Sequence, residues 1–223
     1  TSDQKMRLLA LLAATPPPPQ SSQPYTVARA LADLDGASWS LVLEDGAGVR
    51  VWRDAASTSG AVVLKAEVEC PVPPAVLVDI LLTRDYELIR RYNSGYDGGR
   101  DIEWRDGNRE RISYVRTKPI WPLRARDFVV RCRYEEQPRG AVILNTPATH
   151  AEAPPYDGLV RGTLSGLHLV EPTDGGAGCR YTYTGSMDPA GAVPIAVVNW
   201  FAERRPAALM NAIRDVAVER HGS

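Results

Sequence analysis

The chain has 223 residues, of which 44% are hydrophobic and 24% charged, with a formal charge of -1. That length and apolar content support one substantial core, and a pI near 6.3 gives no electrostatic footprint for nucleic acid. Cys70, Cys132 and Cys179, like His150, His168 and His221, are scattered without Cys-x-x-Cys or His-x-x-x-His spacing, which argues against a disulfide framework or a zinc site.

The first residue is Thr1, so the chain reads as an excised piece, a fragment or a mature protein freed of a targeting segment. A processed chain points to an organelle such as a mitochondrion or plastid; otherwise the cytoplasmic face of membranes is expected. Met6 to Ala14 is an apolar run containing Arg7, far short of the roughly 20 residues a bilayer span needs, and reads as a docking helix or signal remnant. Residues 15–24 include four consecutive prolines and form a stiff spacer. Segment 1–24 is therefore expected to stand apart from a folded domain over 25–223, and is a candidate contact for a protein partner.

Val27, Ala30, Leu31 and Leu34 recur at helical spacing, and Gly36 ends that helix. Strands over 41–44 and 49–53 flank Asp45-Gly46, a hairpin signal. In the next strand Val62, Leu64, Ala66 and Val68 alternate with Lys65, Glu67 and Glu69. Pro73-Pro74 opens a helix with Leu77, Ile80 and Leu81 on one stripe, and a short helix follows over 85–91. Further strands are predicted at 100–105, 109–117, 127–135, 141–147, 159–170 and 179–188. Strands in this number with helices at the start, middle and end predict an α+β domain with one curved, nine-stranded antiparallel sheet.

One face of each strand goes inward. Phe128, Val130, Cys132 and Tyr134 share a face, opposite Val129, Arg131, Arg133 and Glu135. Tyr181, Tyr183 and Met187 alternate with Arg180, Thr182, Thr184 and Ser186 until Asp188-Pro189 and Gly191 stop the strand. Pro194 is placed as the first residue of a terminal helix, and Ile195, Val198, Ala202, Leu209, Ile213 and Val216 form its stripe. Pro206 falls inside that pattern and is expected to kink it. A sheet gripping a kinked helix of modest side chains encloses volume. An empty space of about 400 Å³ would cost on the order of 10 kcal/mol, so ligand or water is expected to fill it.

Three blocks in order resemble the START family, the steroidogenic-acute-regulatory-related lipid transfer domains of helix-grip fold. Lys118-Pro119-Ile120-Trp121-Pro122 with Arg126-Asp127-Phe128-Val129-Val130 is similar to the family's K-x-P-x-P…R-D-F-V block. Val160-Arg161, Ser165-Gly166-Leu167-His168-Leu169 and Glu171-Pro172 are similar to its V-R…G-x-x-I-x-P strand. Asp188, Gly191, Pro194 and Asn199 match the D-x-x-G-x-x-P…N start of its terminal helix. The resemblance spans about 25 to 219 and implies a hydrophobic tunnel for one lipid, with no cofactor, roofed by the terminal helix and the 117–125 loop. Residues expected to wall the tunnel are Ser113, Tyr114, Phe128, Val130, Cys132, Tyr181, Tyr183, Val198, Ala202, Leu209 and Ile213. Ile120, Trp121 and Pro122 form an apolar loop tip suited to a membrane surface, and Arg126, Asp127, Pro194 and Pro206 are expected to be structural.

Two departures stand out. Ungapped spacing puts Ser113 and Cys132 where sterol-transfer members carry a buried acid and arginine, which implies a less polar tunnel or a different head group. Arg91-Tyr92-Asn93 stands where many members have Trp-Asp. The expected function is therefore non-enzymatic lipid binding and transfer between membranes. The alternatives are a structural subunit of a larger complex and a polyketide-cyclase-like enzyme using Tyr114, Tyr181 or His168 as acid or base. No Gly-rich phosphate loop is present, and Ser165 lacks the preceding glycine of a nucleophile elbow.

Overall fold

A computed structural model of the chain describes residues 25–55, 63–119, 124–188, 190 and 195–222, and leaves the side chains of 108 and 195–203 outside that description. Strands β1 (Trp39–Glu44), β2 (Arg50–Asp54), β3 (Val63–Cys70), β4 (Tyr96–Arg105), β5 (Glu110–Thr117), β6 (Arg126–Gln137), β7 (Gly140–Pro147), β9 (Thr163–Thr173) and β10 (Gly178–Asp188) form one sheet, with β8 (Val160–Arg161) beside β6. The order is β1-β2-β3-β10-β9-β7-β6-β5-β4, antiparallel throughout except for the parallel β6–β8 pair. The helices are α1 (Val27–Gly36), α2 (Pro74–Leu81), α3 (Tyr86–Tyr92) and α4 (Ile195–His221).

The α+β class and large antiparallel sheet agree with expectation, with one more strand. Gly162 interrupts the continuous strand expected at 159–170 and leaves the two-residue β8. A Cβ at Gly162 would lie 2.6 Å from the Phe128 ring, so this crossing over β6 needs a glycine.

Local chemistry accounts for the ends of the elements. Thr26 Oγ1 accepts the Arg29 N–H at the start of α1, Pro74 is the first residue of α2, and Asp85 accepts the N–H groups of Glu87 and Leu88 to begin α3. Asp45 turns the β1–β2 hairpin by accepting the N–H of Ala47 at 3.0 Å and of Val49 at 2.8 Å. Helix α4 runs through Pro206, whose missing N–H removes one bond of the helical ladder.

The alternation along each strand sorts residues between two cores. On the inner face Val51, Leu64, Ala66, Val68, Cys70, Val170 and Tyr181 close on Leu77 and Ile80 of α2 and on Ala207, Met210, Ile213 and Val216 of α4. On the outer face Val142, Leu144, Leu167 and Leu169 pack against Val27, Ala30 and Leu34 of α1. Lys65 points outward, its ammonium 4.1 Å from the centre of the Trp52 ring.

Candidate functional site

The inner face is sealed at one end and open at the other. From β2 through β3 to the first half of β10, inward residues are buried against α2 and α4. Farther across, Ser113 and Arg111 of β5, Tyr134 of β6, Asn145 of β7, His168 of β9 and Tyr183 of β10 keep accessible surface. Yet burial alone lowers the His168 pKa to about 4 and pushes the Tyr183 phenol up to about 12. These side chains are partly accessible yet strongly desolvated, and a recess of about 50 Å³ opens beside them, bordered by Leu82, Trp104, Arg109, Arg111, Cys132 and Tyr134.

Two polar arrays occupy this part of the inner face. In the first, Asp101 and Arg111 are each 14% exposed, with Arg111 Nε 3.8 Å from Asp101 Oδ1. Ser113 Oγ donates to the same Asp101 oxygen at 2.6 Å, and Arg111 donates to the Leu82 carbonyl at 3.1 Å. Arg111 Nε itself is buried without a hydrogen bond among the described residues. A β-bulge between Asp101 and Glu103 re-aims β4 at this point. The interior is thus more polar than the Ser113 and Cys132 substitutions implied. Its acid and arginine come from β4 and β5, and Ser113 supports the acid. In the second array, His168 Nδ1 is 2.8 Å from the Tyr181 hydroxyl, and Nε2 is 3.1 Å from Asn145 Nδ2.

The expected wall residues divide by strand parity. Ser113, Phe128, Val130, Cys132, Tyr181 and Tyr183 are on the inner face, while Leu209 and Ile213 of α4 join its core. Tyr114 is on the other side: it clusters with Ile112, Val129 and Ala153 and meets the Tyr156 ring edge-on at 5.5 Å. Adjacent residues of a strand face opposite ways, so Ser113 and Tyr114 cannot share one wall. Ile120, Trp121, Pro122 and Pro194, and the side chains of Val198 and Ala202, lie outside the described residues. The ends of the 117–125 loop are tied: the Arg126 N–H donates to Thr117 Oγ1 at 3.2 Å, and the Lys118 N–H to the Gly95 carbonyl at 2.9 Å.

Asp127 is 1% exposed and forms a two-pronged pair with Arg161, at 3.0 and 2.8 Å. Arg161 also donates to the carbonyls of Ala153 and Pro154. This outer-face clamp fastens the β7–β8 connection over Tyr114. The Arg126 guanidinium donates to the Arg124 carbonyl at 2.5 Å. Arg131 and Arg133 also point outward, as their parity required, at 3.7 and 3.3 Å from the buried Glu110 carboxylate.

Sequence reasoning missed how Arg91-Tyr92-Asn93 works. Arg91 pairs with Glu219 of α4, Tyr92 packs on the inner core, and Asn93 Oδ1 accepts from Arg205 at 3.1 Å. This stretch therefore fastens α3 to α4 beside the interior. Burial lowers the Arg205 pKa, and an ion pair from Arg205 to a carboxylate is absent among the described residues. Cys70 and Cys179, distant in sequence, face each other across β3 and β10 as buried free thiols. A recess of about 1000 Å³ occupies the outer face between α1 and the sheet, bordered by Trp39, Leu144, Leu167, Arg131 and Arg133. It does not reach the inner arrays. No group of residues able to hold a metal ion occurs among the described residues.

One large antiparallel sheet packs against a terminal helix, and polar side chains occupy the part of its inner face that this core leaves uncovered. The START domain family model matches residues 27–221, and the chain belongs to that family. It is 29% identical over 164 residues to mouse START domain-containing protein 10, covering 72% of this chain and 55% of that protein. It is 26% identical over 179 residues to mouse phosphatidylcholine transfer protein, covering 76% and 79%. The chain thus spans little more than half of the first relative's length. Among solved structures, human STARD10 superposes with a TM-score of 0.78 at 23% identity, over 91% of this chain and 83% of that one. Human StAR-related lipid transfer protein 5 gives 0.77 at 19%, over 87% and 94%.

Proposed function

We propose that the protein binds one lipid between the open half of its sheet and α4 and carries it between membranes. The observation that carries this reading is the pairing of accessible surface with strong desolvation at His168 and Tyr183. Family membership supports it, as does similarity to a relative named for phosphatidylcholine transfer. Asp101 and Arg111 present both signs of charge on one wall, which suits a zwitterionic head group. An acyl chain of about 16 methylenes gains on the order of 13 kcal/mol on leaving water. A bilayer offers nearly the same, so transfer is close to an exchange between equal solvents.

The enzymatic reading loses support from its own candidates. Tyr114 faces outward, and the Tyr181 hydroxyl is engaged by His168 in a fully buried position. Among the described residues no helix is long and apolar enough to cross a membrane. The test is native mass spectrometry of the protein from its own source, with lipid extraction and vesicle-to-vesicle transfer of a fluorescent phosphatidylcholine. One phospholipid per chain and measurable transfer are expected. A bare chain that transfers nothing would overturn the proposal.

A further inference from the structure

Two buried thiols meet in the sealed half of the sheet, and lipid binding makes no use of them. Cys70 is the last residue of β3 and Cys179 the second of β10, and the antiparallel register sets them directly opposite each other. Both belong to the inner core with Met210 and Val216 of α4, at 2% and 0% exposure, and both are free thiols. Directly opposed residues of an antiparallel pair send their side chains to one face and hold their Cα atoms about 4.5 or 5.5 Å apart, according to whether they exchange backbone hydrogen bonds. A disulfide spans Cα separations of about 4.4–6.8 Å, so either spacing admits the bond with both strands in place. The thiols are already in contact: a hydrogen bond between them pushes the Cys70 thiol up and holds the Cys179 thiol down.

The third cysteine shows what this pair has that a single thiol lacks. Cys132 faces Arg111 on β5 and Asn145 on β7, and burial pushes its thiol up. Access also distinguishes the pair. It closes the β3–β10 ladder, exposed Pro71 follows Cys70, and exposed Ala177 stands two residues before Cys179. Fraying of one terminal pair therefore admits a small oxidant, whereas opening mid-ladder would require the strands to part.

We propose that Cys70 and Cys179 form a modification site for a small hydroperoxide, closing to a disulfide that staples β3 to β10 in the core against α4. One sulfur, as thiolate, attacks a peroxide oxygen and breaks the O–O bond; the other oxygen leaves as water, or as an alcohol from an organic hydroperoxide, and a sulfenic acid remains. The second sulfur displaces hydroxide from that sulfenic sulfur, which forms the S–S bond and releases water. The two thiols give up two hydrogens and two electrons, and the peroxide takes up both. A dithiol reductant reverses the step by exchange. The link closes a loop of about 110 residues that contains every strand from β4 to β9, and a cross-link over so long a loop restricts the unfolded chain. The site stands whether or not the protein carries lipid.

The experiment reduces the full chain, exposes it to hydrogen peroxide under native conditions, denatures it in excess maleimide and maps its peptides by mass spectrometry. A Cys70–Cys179 cross-linked peptide is expected, with maleimide on Cys132, together with a rise of about 10 °C in Tm that dithiothreitol reverses. Maleimide on both Cys70 and Cys179, after an exposure that fully oxidises free glutathione, overturns the site without any variant having to fold. Separate sulfinic acids on the two residues, or links that involve Cys132, overturn it as well. A Cys70–Cys179 link that leaves Tm unchanged or lowers it overturns the staple. Cys179→Ser, treated alike, is expected to show no rise in Tm, and an equal rise there would assign the effect to another residue.

Discussion

The two halves of the inner face are built from the same period-two alternation, and they serve opposite ends. On β3, Leu64, Ala66, Val68 and Cys70 are all buried against helices. On β4 and β5 the corresponding inward positions include Asp101, Arg111 and Ser113, which retain accessible surface. The difference lies in what covers each half. Helices α2 and α4 press Leu77, Ile80, Met210 and Ile213 onto the first, whereas the second presents paired and hydrogen-bonded polar groups to a space. The sealed half holds the apolar core, and the other half holds the polar groups.

The largest test of this division is Leu77→Ala. Leu77 is fully buried in the sealed half, so its truncation is expected to cost about 3–4 kcal/mol in urea unfolding and to leave lipid occupancy of the folded fraction unchanged. Emptying of the folded protein at unchanged stability would break the division. Asp127→Asn comes next. It deprives Arg161 of its buried counter-charge on the outer face, with an expected loss of about 3 kcal/mol and lipid affinity kept.

His168 connects the open half to pH. Burial lowers its folded pKa to about 4 from an ordinary value of 6.5. Between those values the unfolded chain binds the proton and the folded one does not, so stability rises with pH. Acidification from about pH 6.5 to 4 is expected to remove up to about 3 kcal/mol through this group. His168→Gln should flatten that part of the stability profile, and an unchanged profile would mean that His168 is exposed to bulk water. Ser113→Ala is the smallest perturbation. Loss of its bond to Asp101 should cost about 1 kcal/mol, with a measurable change in head-group preference. A change in stability alone would place Ser113 with the sealed half.

Much of this is legible in the sequence. Alternation placed Phe128, Val130 and Cys132 inside and Arg131 and Arg133 outside, because side-chain direction in a strand is a local property. The same rule, applied to Ser113, would have put Tyr114 outside and brought Arg111 in. Asp101 was harder to foresee, since the bulge at 101–103 resets the parity of β4. The pairing of Cys70 with Cys179 gave no signal, because the two meet only through the β3–β10 register.

The amino-acid sequence by itself determined most of the elements, their order, the inward face of strands without a bulge such as β6, and the family block around Arg126-Asp127, since caps, prolines and periodicity act within a few residues. Tertiary structure alone decided which distant groups meet. Asp101 joins Arg111, Asn145 joins His168 and Tyr181, Arg91 joins Glu219, and Asp127 joins Arg161. Those partnerships depend on strand register and on how α4 lies across the sheet. Both are settled by the packing of the whole chain, and no local propensity encodes either one.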